Sequence, residues 1–209
     1  MKTLKFLALA IVLIGFSSCS SDDDNGGQQL LDVEAETVSN IQATQTADYS
    51  TNPPTITGDY IKFSFETGTT VTGDNWDIAF RGTTILVNGG EATADDQPVR
   101  MGNAGAYFAT GALSEVASVD TTLFTQDSEA NGLAITTGSG NGWYNYDPTT
   151  HIISPIAGKV LVVRTNDGKY AKVEILSYYE NGEPNADLSN SQYYSFNYVY
   201  QPNEGEITF

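Results

Sequence analysis

The chain has 209 residues, and its 26 acidic residues against 9 basic ones give a formal net charge of −17. Such an excess of negative charge repels the phosphate backbone of nucleic acids and anionic lipid surfaces, so we expect no nucleic-acid partner. One cysteine excludes an intramolecular disulfide framework. The stability of the fold must therefore come from its core.

The N-terminus has the layout of a signal peptide. Lys2 and Lys5 precede an apolar run, residues 6–16, which is followed by two serines and Cys19. A helix needs about 20 apolar residues to cross a bilayer, so this run is too short, and we expect no transmembrane helix in the mature chain. Small residues before the sole cysteine match a lipobox. This pattern predicts cleavage of residues 1–18 and lipidation of Cys19, the alternative being a free thiol in a secreted protein.

The segment after Cys19 is polar and acidic. Residues 20–29 read SSDDDNGGQQ, a composition that cannot bury apolar surface. We therefore expect residues 19–36 to comprise the lipidated cysteine and a flexible tether, and residues 37–209 to form one domain. An acidic run directly after the lipidated cysteine is similar to the surface-export signal of Bacteroidetes lipoproteins, which favours the outer face of the outer membrane over the periplasmic face.

The domain shows period-two alternation of apolar and polar residues, which is typical of half-buried strands. Asp167-Gly168 favours a tight hairpin turn between two of these strands. Only residues 114–124 have helical spacing, and any helix there would be short. We therefore expect an all-β domain of many short antiparallel strands with little or no helix. The predicted strands are residues 60–66, 76–80, 83–87, 104–108, 159–165, 169–176, 192–201 and 206–209.

The last long predicted strand is rich in aromatic residues. Its alternation places Tyr194, Phe196, Tyr198 and Tyr200 on one face, together with Gln192. We expect this face to form core or binding surface.

Catalytic and metal motifs are absent from the sequence. Residues 138–142 read GSGNG, with the serine one place out of step for a nucleophile elbow, and no Walker, zincin or Cys/His pattern occurs. The acidic pair Asp95-Asp96 and the run of residues 22–24 do not follow calcium-loop spacing. Paired carboxylates for glycoside hydrolysis are available but unspecific. We therefore expect no enzyme and no metal site built from these motifs.

Two side chains remain that could donate a lone pair to a metal ion. His151 is the sole histidine, and Met101 is the sole methionine once Met1 leaves with the signal peptide. Histidine and methionine both ligate haem iron. His151 lies in a polar turn near aromatic residues that could line an apolar cleft, the alternative being a structural or surface histidine. Met101 lies in a glycine-bordered loop and could equally fill a gap in the core.

Four segments in order, residues 76–80, 102–108, 159–179 and 193–201, resemble the HmuY family of haem-binding Bacteroidetes lipoproteins, over roughly residues 37–209. The resemblance implies an all-β fold, an N-terminal lipid anchor, and capture of haem or a related tetrapyrrole for delivery to a TonB-dependent outer-membrane receptor. It also implies haem as the cofactor.

The chain departs from the family at the iron ligands. Relatives hold the iron between paired histidines or paired methionines, and this chain has neither pair. His151 lies about three positions from the place that the resemblance implies, and Met101 lies on the wrong side of the glycine-rich segment. A single-ligand site, a His/Met pair, a tyrosine partner and loss of haem binding stay open. So do two other functions: recognition of carbohydrate, peptide or protein through the tyrosine-rich strands, and hydrolysis.

Overall fold

The computed structural model describes residues 29–209. The predicted signal peptide, Cys19 and most of the tether lie outside these residues. Within them there is no α-helix and only one 3₁₀ turn, Glu180–Gly182, which confirms the predicted all-β class. No helix in residues 29–209 is long and apolar enough to cross a membrane.

Thirteen strands make up the domain, and all strand pairs are antiparallel. In chain order they are β1 Glu34–Gln42, β2 Thr46–Asp48, β3 Thr55–Thr57, β4 Ile61–Ser64, β5 Thr69–Val71, β6 Ile78–Arg81, β7 Thr84–Val87, β8 Gly105–Thr110, β9 Tyr144–Tyr146, β10 Ile153–Pro155, β11 Lys159–Arg164, β12 Tyr170–Tyr179 and β13 Ser191–Gln201.

These strands form two main sheets and two hairpins. The five-stranded sheet has the order β1-β13-β12-β11-β8, and the four-stranded sheet has the order β5-β4-β6-β7. The hairpins are β2–β3 and β9–β10. Strand β1 begins at Glu34, so three residues that the sequence analysis assigned to the tether belong to the edge of the larger sheet.

The main core lies between the two sheets and consists largely of aromatic rings. Phe63 of β4 contacts Phe65, Phe196 and Tyr198 at ring-centroid distances of 5.4, 5.3 and 5.9 Å, all edge to face. Edge-to-face pairs add to the free energy of simple burial because ring edges and faces carry opposite partial charges. The alternation predicted for β13 is therefore confirmed: its tyrosine and phenylalanine face is core.

One helical candidate does not form, and one predicted strand is wrong. Residues 114–124 form turns rather than a helix, because the Asp120 carboxylate accepts hydrogen bonds from the backbone N–H and the hydroxyl of Thr122 and so competes with helical hydrogen bonds. Residues 206–209 contain a single bridge, between Ser118 and Thr208, rather than a strand.

A buried carboxylate joins the two sheets. Asp77 accepts hydrogen bonds from the backbone N–H of Phe65 at 2.8 Å and from the backbone and side-chain N–H groups of Asn166 at 2.8 and 2.9 Å. Phe65 follows β4 and Asn166 lies in the β11–β12 turn. Because Asp77 is 1 % exposed, these donors replace the water that the carboxylate loses on folding.

Candidate functional site

The β9–β10 hairpin, which carries the sole histidine, is fixed to both main sheets. The backbone N–H of Ile153 donates to Tyr179 Oη of β12 at 2.9 Å, and the N–H of Ile156 donates to the carbonyl of Trp143 at 2.9 Å. Trp143 Nε1 in turn donates to the carbonyl of Thr83, beside β7, at 2.9 Å. These contacts give the hairpin a defined position over the end of β12.

Its loop is organised by Asp147. The carboxylate accepts a hydrogen bond from the Thr149 backbone N–H at 2.8 Å and one from the Thr150 hydroxyl at 2.9 Å. Both hydrogen bonds lower the pKa of Asp147 below its ordinary value, and the bond from the Thr149 N–H has the larger effect. The Asp147 carbonyl accepts the His151 N–H at 2.7 Å, and His151 takes the left-handed φ of 60° that ends the loop.

The loop geometry pairs His151 with a tyrosine. Tyr146 Oη lies 2.5 Å from His151 Nδ1, and the backbone N–H of Tyr146 donates to Ser139 Oγ at 2.8 Å. Both members of the pair are exposed, Tyr146 at 41 %. His151 Nε2 has no hydrogen-bond partner in residues 29–209. One ring nitrogen held by an oxygen and the other left open is the usual arrangement of a metal-ligating histidine.

An aromatic layer supports the hairpin from below. The Trp143 ring contacts Tyr144, Tyr178 and Tyr194 at centroid distances of 5.0, 5.6 and 5.2 Å. Burial raises the pKa of Tyr178 and of Tyr194, so both rings stay neutral at ordinary pH. The layer is therefore buried and uncharged. Ile152, partly exposed, lies at its rim beside His151.

The surface around His151 is open. Five clefts of about 220 to 530 Å³ occur elsewhere on the described surface, and His151 lines none of them. None of these five clefts is therefore the apolar cleft predicted around His151.

Met101 lies far from His151. Its side chain is 68 % exposed, so it does not fill a gap in the core, and its backbone N–H donates to Asn88 Oδ1 at 2.8 Å. Two residues after Met101, the backbone N–H of Asn103 donates to the carbonyl of Asn166 at the β11–β12 turn. The hairpin instead bonds Tyr179, at the far end of β12. The ten residues of β12 span about 30 Å, and trans ligands of one metal lie about 4 Å apart. The structure does not bring His151 and Met101 together.

Other candidates from the sequence have local structural roles. Ser139 accepts the Tyr146 N–H, and Asp96 pairs with Arg81 at 2.6 Å. Across residues 29–209, no group of three or more His, Cys, Asp or Glu side chains has a geometry that could hold a metal ion.

A family model described as HmuY protein matches residues 56–198, which is more than half of the chain and includes the β9–β10 hairpin. The chain belongs to the HmuY family. This family is one of haem-binding lipoproteins rather than of enzymes. No curated protein matches the chain by sequence.

Several solved structures are similar to the chain. A lipoprotein from Bacteroides fragilis is 18 % identical, with a TM-score of 0.46 and coverage of 83 % of this chain and 96 % of that one. The apo HmuY analog of Tannerella forsythia is 16 % identical, with a TM-score of 0.46 and coverage of 84 and 100 %. A Bacteroides vulgatus protein described as HmuY-like and heme binding is 16 % identical, with a TM-score of 0.37 and coverage of 82 and 93 %. The family assignment rests on the family model.

Proposed function

We propose that the protein is anchored to the outer membrane through a lipid on Cys19, faces the cell surface, and binds haem or a related tetrapyrrole for delivery to a TonB-dependent receptor. His151 is the iron ligand. The observation that carries this proposal is the Tyr146–His151 pair, with an open Nε2, on a fixed hairpin in a chain of the HmuY family.

The Tyr146–His151 contact suits His151 to ligation through Nε2. A neutral imidazole that gives its Nε2 lone pair to a metal carries its proton on Nδ1. With Nε2 bound to a metal, the Nδ1 proton would be donated to Tyr146 Oη, which lies 2.5 Å from Nδ1. This hydrogen bond would hold the ring orientation of His151. A bound haem would supply an iron atom that accepts such a lone pair.

One protein donor on this chain is what the geometry supports. Tyr146 Oη lies 2.5 Å from His151 Nδ1 and would serve as the hydrogen-bond partner of this ligand rather than as a second ligand. Met101 lies near the other end of β12. We therefore expect His151 to be the one side chain of the described residues that would hold the haem iron.

A haemin titration followed by absorbance tests this proposal. The wild type should show a saturable shift of the main porphyrin band at one haem per chain. His151→Ala should lose that shift, because the sole histidine is gone. Met101→Leu is the matched control and should titrate like the wild type. Equal titrations of wild type and His151→Ala would contradict the proposal, as would loss of binding in Met101→Leu.

A further inference from the structure

A group of aromatic rings lies on the face of the larger sheet that is turned away from the main core. Tyr107 of β8, Phe124 and Tyr170 of β12 are half-buried there. The Phe124 ring stacks on Tyr170 at a centroid distance of 5.8 Å and contacts Tyr107 edge to face at 5.1 Å. Leu123, directly before Phe124, is 50 % exposed. The three partly exposed rings form what we call the aromatic patch.

Arg164, the last residue of β11, lies against the aromatic patch. Its guanidinium carbon is 5.4 Å from the centre of the Phe124 ring. Arg164 stands opposite Gly105 of β8 in the strand register, and a Cβ atom at residue 105 would lie 3.3 Å from Arg164 Nη2. Because Gly105 has no side chain, the guanidinium has room beside strand β8.

The guanidinium of Arg164 is hydrogen-bonded on one edge only. Nε donates to the carbonyl of Asn103 at 2.9 Å, and Nη2 donates to Asn103 Oδ1 at 3.4 Å. A guanidinium has five N–H donors in one plane, so these two bonds occupy the edge formed by Nε and Nη2. Nη1 has no hydrogen-bond partner in residues 29–209 and is not buried. The edge formed by Nη1 and Nη2 is therefore available to a ligand.

No carboxylate of the described residues balances the charge of Arg164. Ion pairs hold the other two arginines of the chain, Arg81 and Arg100, whereas Arg164 forms none within residues 29–209. Acidic residues outnumber basic ones by 26 to 9, so partners of opposite charge are plentiful. The contact with Phe124 uses the face of the guanidinium, and Asn103 uses one edge. Neither contact explains why the second edge is left open.

The surroundings of this open edge define the chemistry of its ligand. A carboxylate fits because its two oxygens accept parallel hydrogen bonds from a guanidinium. An aromatic ring attached to that carboxylate would pack on Phe124 and Leu123, and contacts between rings add to the free energy of simple burial. An acid without a ring would gain only an exposed ion pair, which contributes little.

We propose that Arg164 and the aromatic patch bind an aromatic carboxylate. Its oxygens accept hydrogen bonds from Nη1 and Nη2 of Arg164, and its ring packs on Phe124. The carboxylate belongs to a free acid or to the C-terminal aromatic residue of a peptide. Arg164 pairs with Tyr170, the first residue of β12, whereas the β9–β10 hairpin bonds Tyr179, the last residue of β12. The site is therefore separate from His151, and it does not depend on haem binding.

NMR titration with four probes tests the site. The probes are phenylacetate, phenylacetamide, acetate, and acetyl-Gly-Phe with a free C-terminal carboxylate. Phenylacetate should shift the Arg164 Nε–H signal and the Phe124 amide signal saturably. Phenylacetamide lacks the charge and acetate lacks the ring, so each should bind at least about tenfold more weakly. Tighter binding of acetyl-Gly-Phe than of phenylacetate would support a peptide as the source, and equal or weaker binding would support a free acid.

A smaller difference for phenylacetamide or for acetate would overturn the proposal. So would an Arg164 Nε–H signal that neither aromatic acid shifts. These results come from the wild type and do not depend on the folding of any variant.

Two variants and a control localise the binding. Arg164→Met removes the guanidinium and should weaken phenylacetate binding at least about tenfold, since hydrogen bonds between charged groups are among the stronger ones. Phe124→Leu should weaken it about threefold, because the contact between rings is lost. Lys62→Met removes a positive charge from β4 of the smaller sheet and should bind as the wild type does. Wild-type affinity in a folded Arg164→Met variant, or equal weakening by Lys62→Met, would overturn the proposal.

Discussion

Replacing Tyr146 by Phe removes the one hydroxyl that holds His151 and leaves the backbone of the hairpin unchanged. The Tyr146 N–H bond to Ser139 does not involve the ring. Oxygen partners of ligating histidines typically contribute about 10- to 100-fold in metal affinity. Because Tyr146 is 41 % exposed, water can replace part of the lost contact. We therefore expect haem affinity to fall about tenfold, or ~1.4 kcal/mol.

The assay is a haemin titration of wild type, Tyr146→Phe and a matched control, Tyr49→Phe. Tyr49 is 81 % exposed and lies after β2, away from the hairpin. The control should bind as the wild type does. An unchanged affinity in Tyr146→Phe would refute the positioning role of the hydroxyl. If Tyr146→Phe abolishes binding while His151→Ala retains it, then the phenol oxygen is the iron ligand instead.

Three further predictions concern the loops and the anchor. Arg100→Met should lower the free energy of unfolding, measured in urea, by about 3–5 kcal/mol, because the buried Asp127 carboxylate loses the guanidinium that contacts it at 2.7 Å. A loss under ~1 kcal/mol would contradict this reasoning. The Asp147 carboxyl should titrate below 3.8 when its ¹³C signal is followed by NMR. The stability that this carboxylate gives the loop is therefore present above pH 3.8 and is lost as pH falls through the lowered pKa. A midpoint at or above 3.8 would count against the Thr149 hydrogen bond. Cys19→Ser should lose palmitate labelling in cells, and retained label would exclude lipidation at that residue.

The strands that could be predicted from the sequence are those in which core residues alternate with residues of the other face. In β13, Tyr194, Phe196 and Tyr198 alternate with residues of the other face, and the core lies where this pattern places it. Strand β1 has no such pattern, since Glu34 and Glu36 occupy its inner face. It is ordered by pairing with β13, a contact between residues about 160 positions apart that no local pattern reveals. The helical candidate at residues 114–124 does not form for a local reason, the competing Asp120 carboxylate.

The candidate site could be predicted only in part. His151 was identifiable because it is the sole histidine. Its partner Tyr146 depends on the register of the β9–β10 hairpin, which a six-residue loop led by Asp-Pro does not specify in advance. The position of Met101 depends on Asn88, 13 residues earlier, whose side chain accepts a hydrogen bond from the backbone N–H of Met101. Contacts of this kind arise from the tertiary fold and have no signature in the sequence.

The most direct test of haem ligation uses the sole histidine as a reporter. Protein labelled with ¹⁵N-histidine gives imidazole signals from His151 alone, and gallium protoporphyrin IX is a diamagnetic substitute for haem. On titration with this porphyrin, the Nε2 signal should shift to a metal-bound position while Nδ1 stays protonated against Tyr146 Oη. Saturable binding of the porphyrin with both His151 nitrogen signals unchanged would contradict ligation by His151.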